Sequence, residues 1–242
     1  MEDQFIRTRM LLGDAAIERL QHSHVAVFGL GGVGSWCAEA LCRSGVGELT
    51  LIDLDDLSVS NINRQAFALH STVGMKKAEA AALRLADISP TCQLHPMAAR
   101  YEAQTREEFF QHSYDCIVDA IDLVSCKLDL IETAHARNIP IISAMGTGNK
   151  LDAQQLRIAD LSKTEGCPLA RVVRKELKAR GILHHPVVFS PELPSRAHDG
   201  TETPPPGRRS IPASSMWVPA SAGLLLAQWV ISYLTDEKTT AH

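Results

Sequence analysis

The chain has no Cys-x-x-Cys pair, no surplus of basic residues, no internal repeat and no heptad run. Its six cysteines, at 37, 42, 92, 116, 126 and 167, are scattered, which excludes the framework of a small disulfide-stapled domain and any paired zinc motif. Cys37 and Cys42 stand five residues apart, about 140° around a helix, so their sulfurs diverge. All six read as core thiols. A formal net charge of -4 excludes attachment to nucleic acid or membrane by bulk charge, and any basic contact surface has to be local. The start, MEDQFIRTRM, lacks the apolar stretch of a signal peptide. With unpaired cysteines this predicts a reducing, cytoplasmic setting. The longest apolar run, WVPASAGLLLAQWVISYL at 217–234, contains Pro219, Ser221, Gln228 and Ser232 and lacks basic flanks. It predicts a buried helix that closes the domain, with membrane association not expected.

What is present is enough for one substantial core: 242 residues, 45% hydrophobic and 21% charged, fit one α/β domain. Residues 6–22 space apolar positions as a short amphipathic helix, and HVAVFGL at 24–30 reads as a buried strand. A helix over 33–44 is stopped by Gly45 and Gly47, and ELTLID at 48–53 is the next strand. Beyond a polar loop at 56–65, a helix is expected over 74–89 and a strand over 92–97. Strands over 114–121 and 139–146 flank a helix over 125–137. Alternation of this kind predicts a doubly wound, mostly parallel sheet of Rossmann type, with a short N-terminal helix and a C-terminal helical closure. Residues 184–212 hold seven prolines and two glycines and predict a long, mobile loop.

Gly29, Gly31 and Gly34 have the spacing of a turn that follows a strand, lets backbone approach phosphate and opens a helix whose first amides face an anion. Gly32 lies within the same turn. Asp53, nineteen residues beyond Gly34 at the end of the second strand, is placed to accept hydrogen bonds from ribose hydroxyls. These features alone suit NAD, FAD or ATP. Arg64, in SVSNINRQ, with Lys76 and Lys77 beyond it, favours ATP, because cations neutralise a triphosphate and its leaving pyrophosphate whereas hydride transfer has no need of them. No His or Tyr-Lys pair stands out as the proton donor of an oxidoreductase. Asp119 and Asp122 end another strand, where ligands of doubly wound sheets sit. Asp122 is the better candidate to hold Mg²⁺, with Asp119 the alternative or a strand-end residue bonded to backbone.

The stretches GLGGVGSWCAEALCRSGVGELTLIDLDDLSVSNINRQ, TVGMKKAE and VDAID resemble the ubiquitin-activating-enzyme-like superfamily, which includes the sulfur-carrier adenylyltransferases ThiF and MoeB. RTRMLLG, IADLSKTEGCPLARVVRKELKARGI and VPASAGLLLAQWV resemble its tRNA threonylcarbamoyladenosine dehydratase family. The resemblance implies a single ThiF-type adenylating domain over 1–242 that binds ATP through Gly29, Gly31, Gly32, Gly34, Asp53, Asn61, Arg64 and Lys77, with Mg²⁺ on Asp122. It also implies a homodimer in which Arg7 reaches the partner's ATP. From the residues alone, Arg7 and Arg9 are interchangeable surface charges. The implied reaction joins a carboxylate to the α-phosphate, expels pyrophosphate, and closes a ring as AMP leaves.

The rival is a sulfur-carrier adenylyltransferase, which typically carries two Cys-x-x-Cys zinc pairs and often a cysteine in a mobile crossover loop. This chain has neither, since 184–212 contains no cysteine. Cys167, before Pro168, reads as a helix-start residue. In PLARVVRKELKARG, Leu169, Val172, Val173 and Leu177 form an apolar stripe that leaves Arg171, Arg174, Lys175 and Lys178 to grip tRNA phosphates or to face solvent. Arg208 and Arg209 are weaker candidates of the same kind, and a sulfur-transfer partner stays open.

Overall fold

In the computed structural model, residues 3–195, 198 and 212–236 are described. The N-terminal stretch forms two helices, α1 (Ile6–Leu12) and α2 (Asp14–Gln21), where one was expected. Gly13 parts them with a φ of 87°, outside the helical region. Strand β1 (His24–Phe28) is buried along its whole length, and its pleat divides the side chains. Val25 and Val27 enter one core, while Ala26 and Phe28 enter the other. Then come α3 (Gly34–Ser44), β2 (Glu48–Ile52), α4 (Lys77–Ile88), β3 (Gln93–Met97), β4 (Cys116–Asp119), α5 (Val124–Ala136) and β5 (Ile141–Ala144). The chain ends with β6 (Arg157–Asp160), α6 (Pro168–Ala179), β7 (Pro186–Phe189) and α7 (Trp217–Thr235).

The seven strands lie in the order β3-β2-β1-β4-β5-β7-β6, all parallel except β6, which runs antiparallel to β7. The chain winds outward from β1 to β3 and then returns to place β4 on the other side of β1. Helix α3 therefore covers one face and α5 the opposite one. Between the carboxyl ends of β1 and β4 this reversal opens the crevice in which doubly wound sheets bind ligands.

One expectation needs correction, and one strand was not foreseen. The segment 184–212 is not a loop throughout: Pro186–Phe189 is an interior strand, buried from Val187 to Phe189 between β5 and β6. Pro186 starts that strand, where a missing N–H costs least. Residues 196–197 and 199–211, with Arg208 and Arg209, lie outside the described residues. Strand β6 went unread because RIAD has no run of apolar residues.

Helix α7 has a mean hydropathy of 1.3 and is long and apolar enough to cross a membrane, yet half of that apolar stretch is buried within the fold. It crosses α3 so closely that a Cβ on Gly223 would stand 2.4 Å from the Val33 carbonyl oxygen. This is the helical closure expected.

Candidate active site

The glycine turn is shaped by two steric demands. Gly29 leaves β1 with φ +90°, and a Cβ there would stand 2.8 Å from the Ala120 carbonyl oxygen at the end of β4. A Cβ on Gly34 would stand 1.8 Å from the Gly29 carbonyl oxygen. Gly31 differs, because beyond its chain neighbours no atom of the described residues lies within 4 Å of where its Cβ would be. The open side of the turn is therefore at Gly31. The amides of Gly31, Gly32 and Val33 donate to no acceptor among the described residues. Three unspent donors at the start of an eleven-residue helix form a cradle for an anion.

Asp53 braces this cradle. Its Oδ2 accepts from the Leu30 amide at 2.7 Å and its Oδ1 from the Asp55 amide at 2.9 Å. A carboxylate offers about four lone-pair sites, so capacity remains for a pair of hydroxyls. The two neighbouring lysines have different roles. Lys77 is buried at 6% exposure, donates to Asp55 Oδ2 at 2.8 Å and lies 3.7 Å from Asp53 Oδ1. Lys76 remains part-exposed and pairs with Asp56 at 2.8 Å. Burial works against ionisation of Asp55, but the bond from Lys77, with Arg100 and Lys76 nearby, outweighs it and holds the carboxyl below its usual range.

Arg64 closes the other side. Its aliphatic stem packs beside Gly32, where a Cβ would meet Arg64 Cγ at 3.4 Å and Pro219 of α7 at 3.3 Å. Its Nη1 donates to the Ser60 carbonyl at 2.8 Å and to Asn63 Oδ1 at 2.9 Å, and no carboxylate pairs with it among the described residues. The turn that carries it starts with Ser58, whose amide donates to Asn61 Oδ1 at 3.2 Å. Trp36 fastens the turn to α3 by donating from Nε1 to the Arg64 carbonyl at 2.9 Å. The sequence reading missed Trp36, which carries no signal beyond an aromatic within a helix.

The two aspartates after β4 separate cleanly. Asp119 is fully buried, accepts from Lys127 Nζ at 2.6 Å and accepts from the Ile121 amide at 3.0 Å. Its charge is committed inside the fold. Asp122 is exposed at the crevice edge. Lys127, also missed, was legible in part, because it shares a helix face with the apolar Leu130, Ile131 and Ala134.

Arg7 is not brought to the turn within one chain. Its neighbour Phe5 packs at Gly45, at the far end of α3, about 16 Å of helix from the glycine loop. Arg9 is held by Asp3 and Asp14, each at 2.9 Å, whereas Arg7 is exposed. This distinguishes two arginines that the sequence left equivalent.

On α6 the buried stripe is Ala170, Val173 and Leu177, and Val172, expected in it, is 43% exposed. Arg171, Lys175 and Lys178 line a cleft of about 540 Å³ together with Ser162 and His184. Arg174 also borders it, but donates to the Thr164 carbonyl at 2.7 Å and so ties down the turn before the helix. All six cysteines are free and buried, including Cys167 at the start of α6.

Fold and site together define a dinucleotide-fold domain with unspent amides at the start of α3, an acid at the end of β2 and an arginine without a carboxylate partner among the described residues. A family model described as the ThiF family matches residues 5–242, and the chain belongs to that family. It is 41% identical over 245 residues to tRNA threonylcarbamoyladenosine dehydratase of Bacillus subtilis (strain 168), covering 98% of this chain and 96% of the relative. The crystal structure of E. coli tRNA N6-threonylcarbamoyladenosine dehydratase in complex with ATP matches with a TM-score of 0.88 at 32% identity, over 99% of this chain and 96% of that one. Molybdopterin-synthase adenylyltransferase of Salmonella typhimurium is 34% identical, but over 57% of this chain and 54% of the relative.

Proposed function

We infer that this chain is a tRNA threonylcarbamoyladenosine dehydratase that uses ATP to cyclise the modified nucleoside. The observation that carries this reading is likeness over nearly the whole length, both to the Bacillus subtilis dehydratase and to the ATP-bound E. coli one. The match to the molybdopterin-synthase adenylyltransferase extends over little more than half of either chain.

Chemically, the threonyl carboxylate attacks the α-phosphorus and pyrophosphate departs. A nitrogen of the modified adenosine then attacks the activated acyl carbon, and AMP leaves with the former carboxylate oxygen. Catalysis of this kind is positioning and charge stabilisation, with no protein nucleophile. The free amides of Gly31, Gly32 and Val33 bind phosphate oxygens, with Gly29 and Gly34 shaping the turn. Asp53 takes the ribose hydroxyls while it braces Leu30. Arg64, held beside Asn61 and Asn63 with no acid among the described residues to neutralise it, offsets charge on the phosphates, and Lys77 holds Asp53 and Asp55 in place. The exposed Asp122 fits Mg²⁺, a hard cation that takes one carboxylate and keeps phosphates and waters as its other ligands. Bound there, Mg²⁺ would screen the phosphate charge.

A homodimer suits α1, whose Met10 and Leu11 are 81% and 82% exposed beside Arg7. Arg7 would then serve the partner's nucleotide. Arg171, Lys175 and Lys178 offer tRNA phosphates three exposed cations along one cleft, while Arg174 acts structurally. Buried, unpaired thiols suit a reducing cytoplasm.

The test is to incubate the protein with ATP, Mg²⁺ and threonylcarbamoyladenosine-containing tRNA, then weigh the nucleosides by mass spectrometry. Loss of one water is expected. Unchanged tRNA, with pyrophosphate exchange driven instead by a ubiquitin-fold carrier ending in Gly-Gly, would replace this reading with the sulfur-carrier one. Arg64→Ala and Asp122→Ala should each reduce turnover at least about a hundredfold with little change in melting temperature.

A further inference from the structure

At the opposite end of the sheet from the nucleotide crevice, three candidate metal ligands converge from three different strands. His24 opens β1, Glu48 opens β2, and His95 lies in β3. The parallel register pairs His24 with Glu48 and Thr50 with His95. Since side chains two apart share a sheet face, all four residues emerge on one side. His95 Nε2 lies 2.7 Å from Glu48 Oε1, and His24 Nδ1 lies 3.5 Å from that same oxygen. One ligand atom from each of the three residues falls within 4.8 Å of the others. Ligands about 2.0–2.1 Å from a tetrahedral ion stand roughly 3.3 Å apart, so the spacing needs only small adjustment.

Two further features turn a meeting of side chains into a built site. His24 is buried, and its second nitrogen, Nε2, lies 2.8 Å from Thr50 Oγ1. That partner can accept the Nε2 proton and leave the Nδ1 lone pair directed at Glu48, the outer-shell arrangement that fixes the tautomer of a ligating histidine. The ring is also braced from the side, with Tyr114 edge-on at 4.8 Å, while Asp115 Oδ2 accepts from the His24 amide at 2.8 Å. On the outer side, exposed His112 stacks on His95 at 5.4 Å between ring centroids. Glu48 and His95 remain part-exposed, which leaves an entry path and room for water in the remaining position.

We propose that His24, Glu48 and His95 form a binding site for a zinc-class divalent ion at the amino-terminal edge of β1, β2 and β3. Two imidazoles and one carboxylate are a borderline-soft donor set suited to Zn²⁺ or Co²⁺, and poorly suited to the all-oxygen shell of Mg²⁺. The bound ion takes the place of the direct contact between His95 and Glu48. It links three strands whose ligands are 24 and 47 positions apart in sequence, and it lies about 16 Å of strand away from Gly29. Its role is to pin the strand ends, independent of the ATP chemistry.

The test uses the full chain, treated with chelator and then titrated with Co²⁺ followed by Zn²⁺. One equivalent of Co²⁺ should give visible absorption of four- or five-coordinate type, which Zn²⁺ abolishes. Saturating Zn²⁺ should raise the melting temperature by about 5 °C. Both His95→Gln and Glu48→Gln should weaken Zn²⁺ binding at least tenfold. ATP affinity should stay within about twofold of the unchanged chain, because the crevice is remote. His95 is part-exposed, so its variant decides the matter if Glu48→Gln fails to fold. Failure to bind one equivalent of either ion, or equal affinity in His95→Gln, would overturn the proposal.

Discussion

The strongest constraint on the nucleotide site is the difference between two glycines three residues apart. An alanine methyl at Gly34 would lie 1.8 Å from the Gly29 carbonyl oxygen, and backbone has to part by about 1.6 Å before contact becomes ordinary. That movement separates the turn from α3, and overpacking on this scale costs at least about 3 kcal/mol. In a chain of this size the melting temperature should fall by roughly 6–12 °C. At Gly31 the same methyl meets no described residue beyond its chain neighbours within 4 Å, and the backbone is not in the positive-φ region. Gly31→Ala should therefore leave stability unchanged or raise it by up to about 1 kcal/mol, through lost freedom of the unfolded chain. Its effect should appear in binding, because the methyl occupies the space through which phosphate reaches the free amides. A loss of at least tenfold in ATP affinity, about 1.4 kcal/mol, is expected. Differential scanning fluorimetry and isothermal titration calorimetry on the two variants separate the effects. If Gly31→Ala binds ATP as tightly as the unchanged chain, the open side of the turn is not the phosphate cradle. If Gly34→Ala melts normally, the packing account of the turn is wrong.

Other outcomes follow from buried charge. His185 is hydrogen-bonded to Ser143 and His135, and burial, with His135 and Lys127 adding repulsion and Asp160 opposing, pushes it down to about 3. Its stabilising effect is full above the unfolded value near 6.5 and declines as pH falls toward 3. About 2 kcal/mol should be lost between pH 7.5 and 5, as measured by urea unfolding. His185→Asn should flatten that dependence whatever its effect at pH 7.5. Lys127→Met leaves the buried Asp119 carboxylate without its cation and should cost about 3–5 kcal/mol, whereas Lys127→Met with Asp119→Leu should recover most of it. An unfolding titration in which the single variant matches the unchanged chain would show that the pair carries no structural weight. Reversing Arg171 and Lys178 to Glu should weaken tRNA binding at least tenfold in a filter assay and reduce its salt dependence, while Arg174→Ala should chiefly lower the melting temperature. Equal tRNA affinity in the reversed variant would remove the cleft from the substrate path.

Some of the structure was written in local pattern. HVAVF, the glycine spacing and the acid at the end of ELTLID define a β-turn-α-β unit because each signal acts over a few residues: burial on both faces, tight turning and strand length. Other elements were hidden by equally local signals that misled. Strand β7 is only four residues long and stands among prolines, which read as loop. Gly13 parts α1 from α2 through its φ, which apolar spacing does not register. Lys76 and Lys77 look alike in sequence, and the bridge between Asp56 and Lys76 turns one outward while the other points to Asp55.

By itself, then, the sequence determined the fold class, the glycine turn with Asp53, and the absence of a loop cysteine or paired zinc ligands, since each depends on residue type and short spacing. Only the tertiary structure decided that Asp119 is neutralised by Lys127 while Asp122 is exposed, that Arg174 turns inward, and that Arg7 stands far from its own chain's turn. It alone brought His24, Glu48 and His95 together. The reason is physical: strand register and helix packing join residues tens of positions apart, and no spacing along the chain encodes which of them will meet.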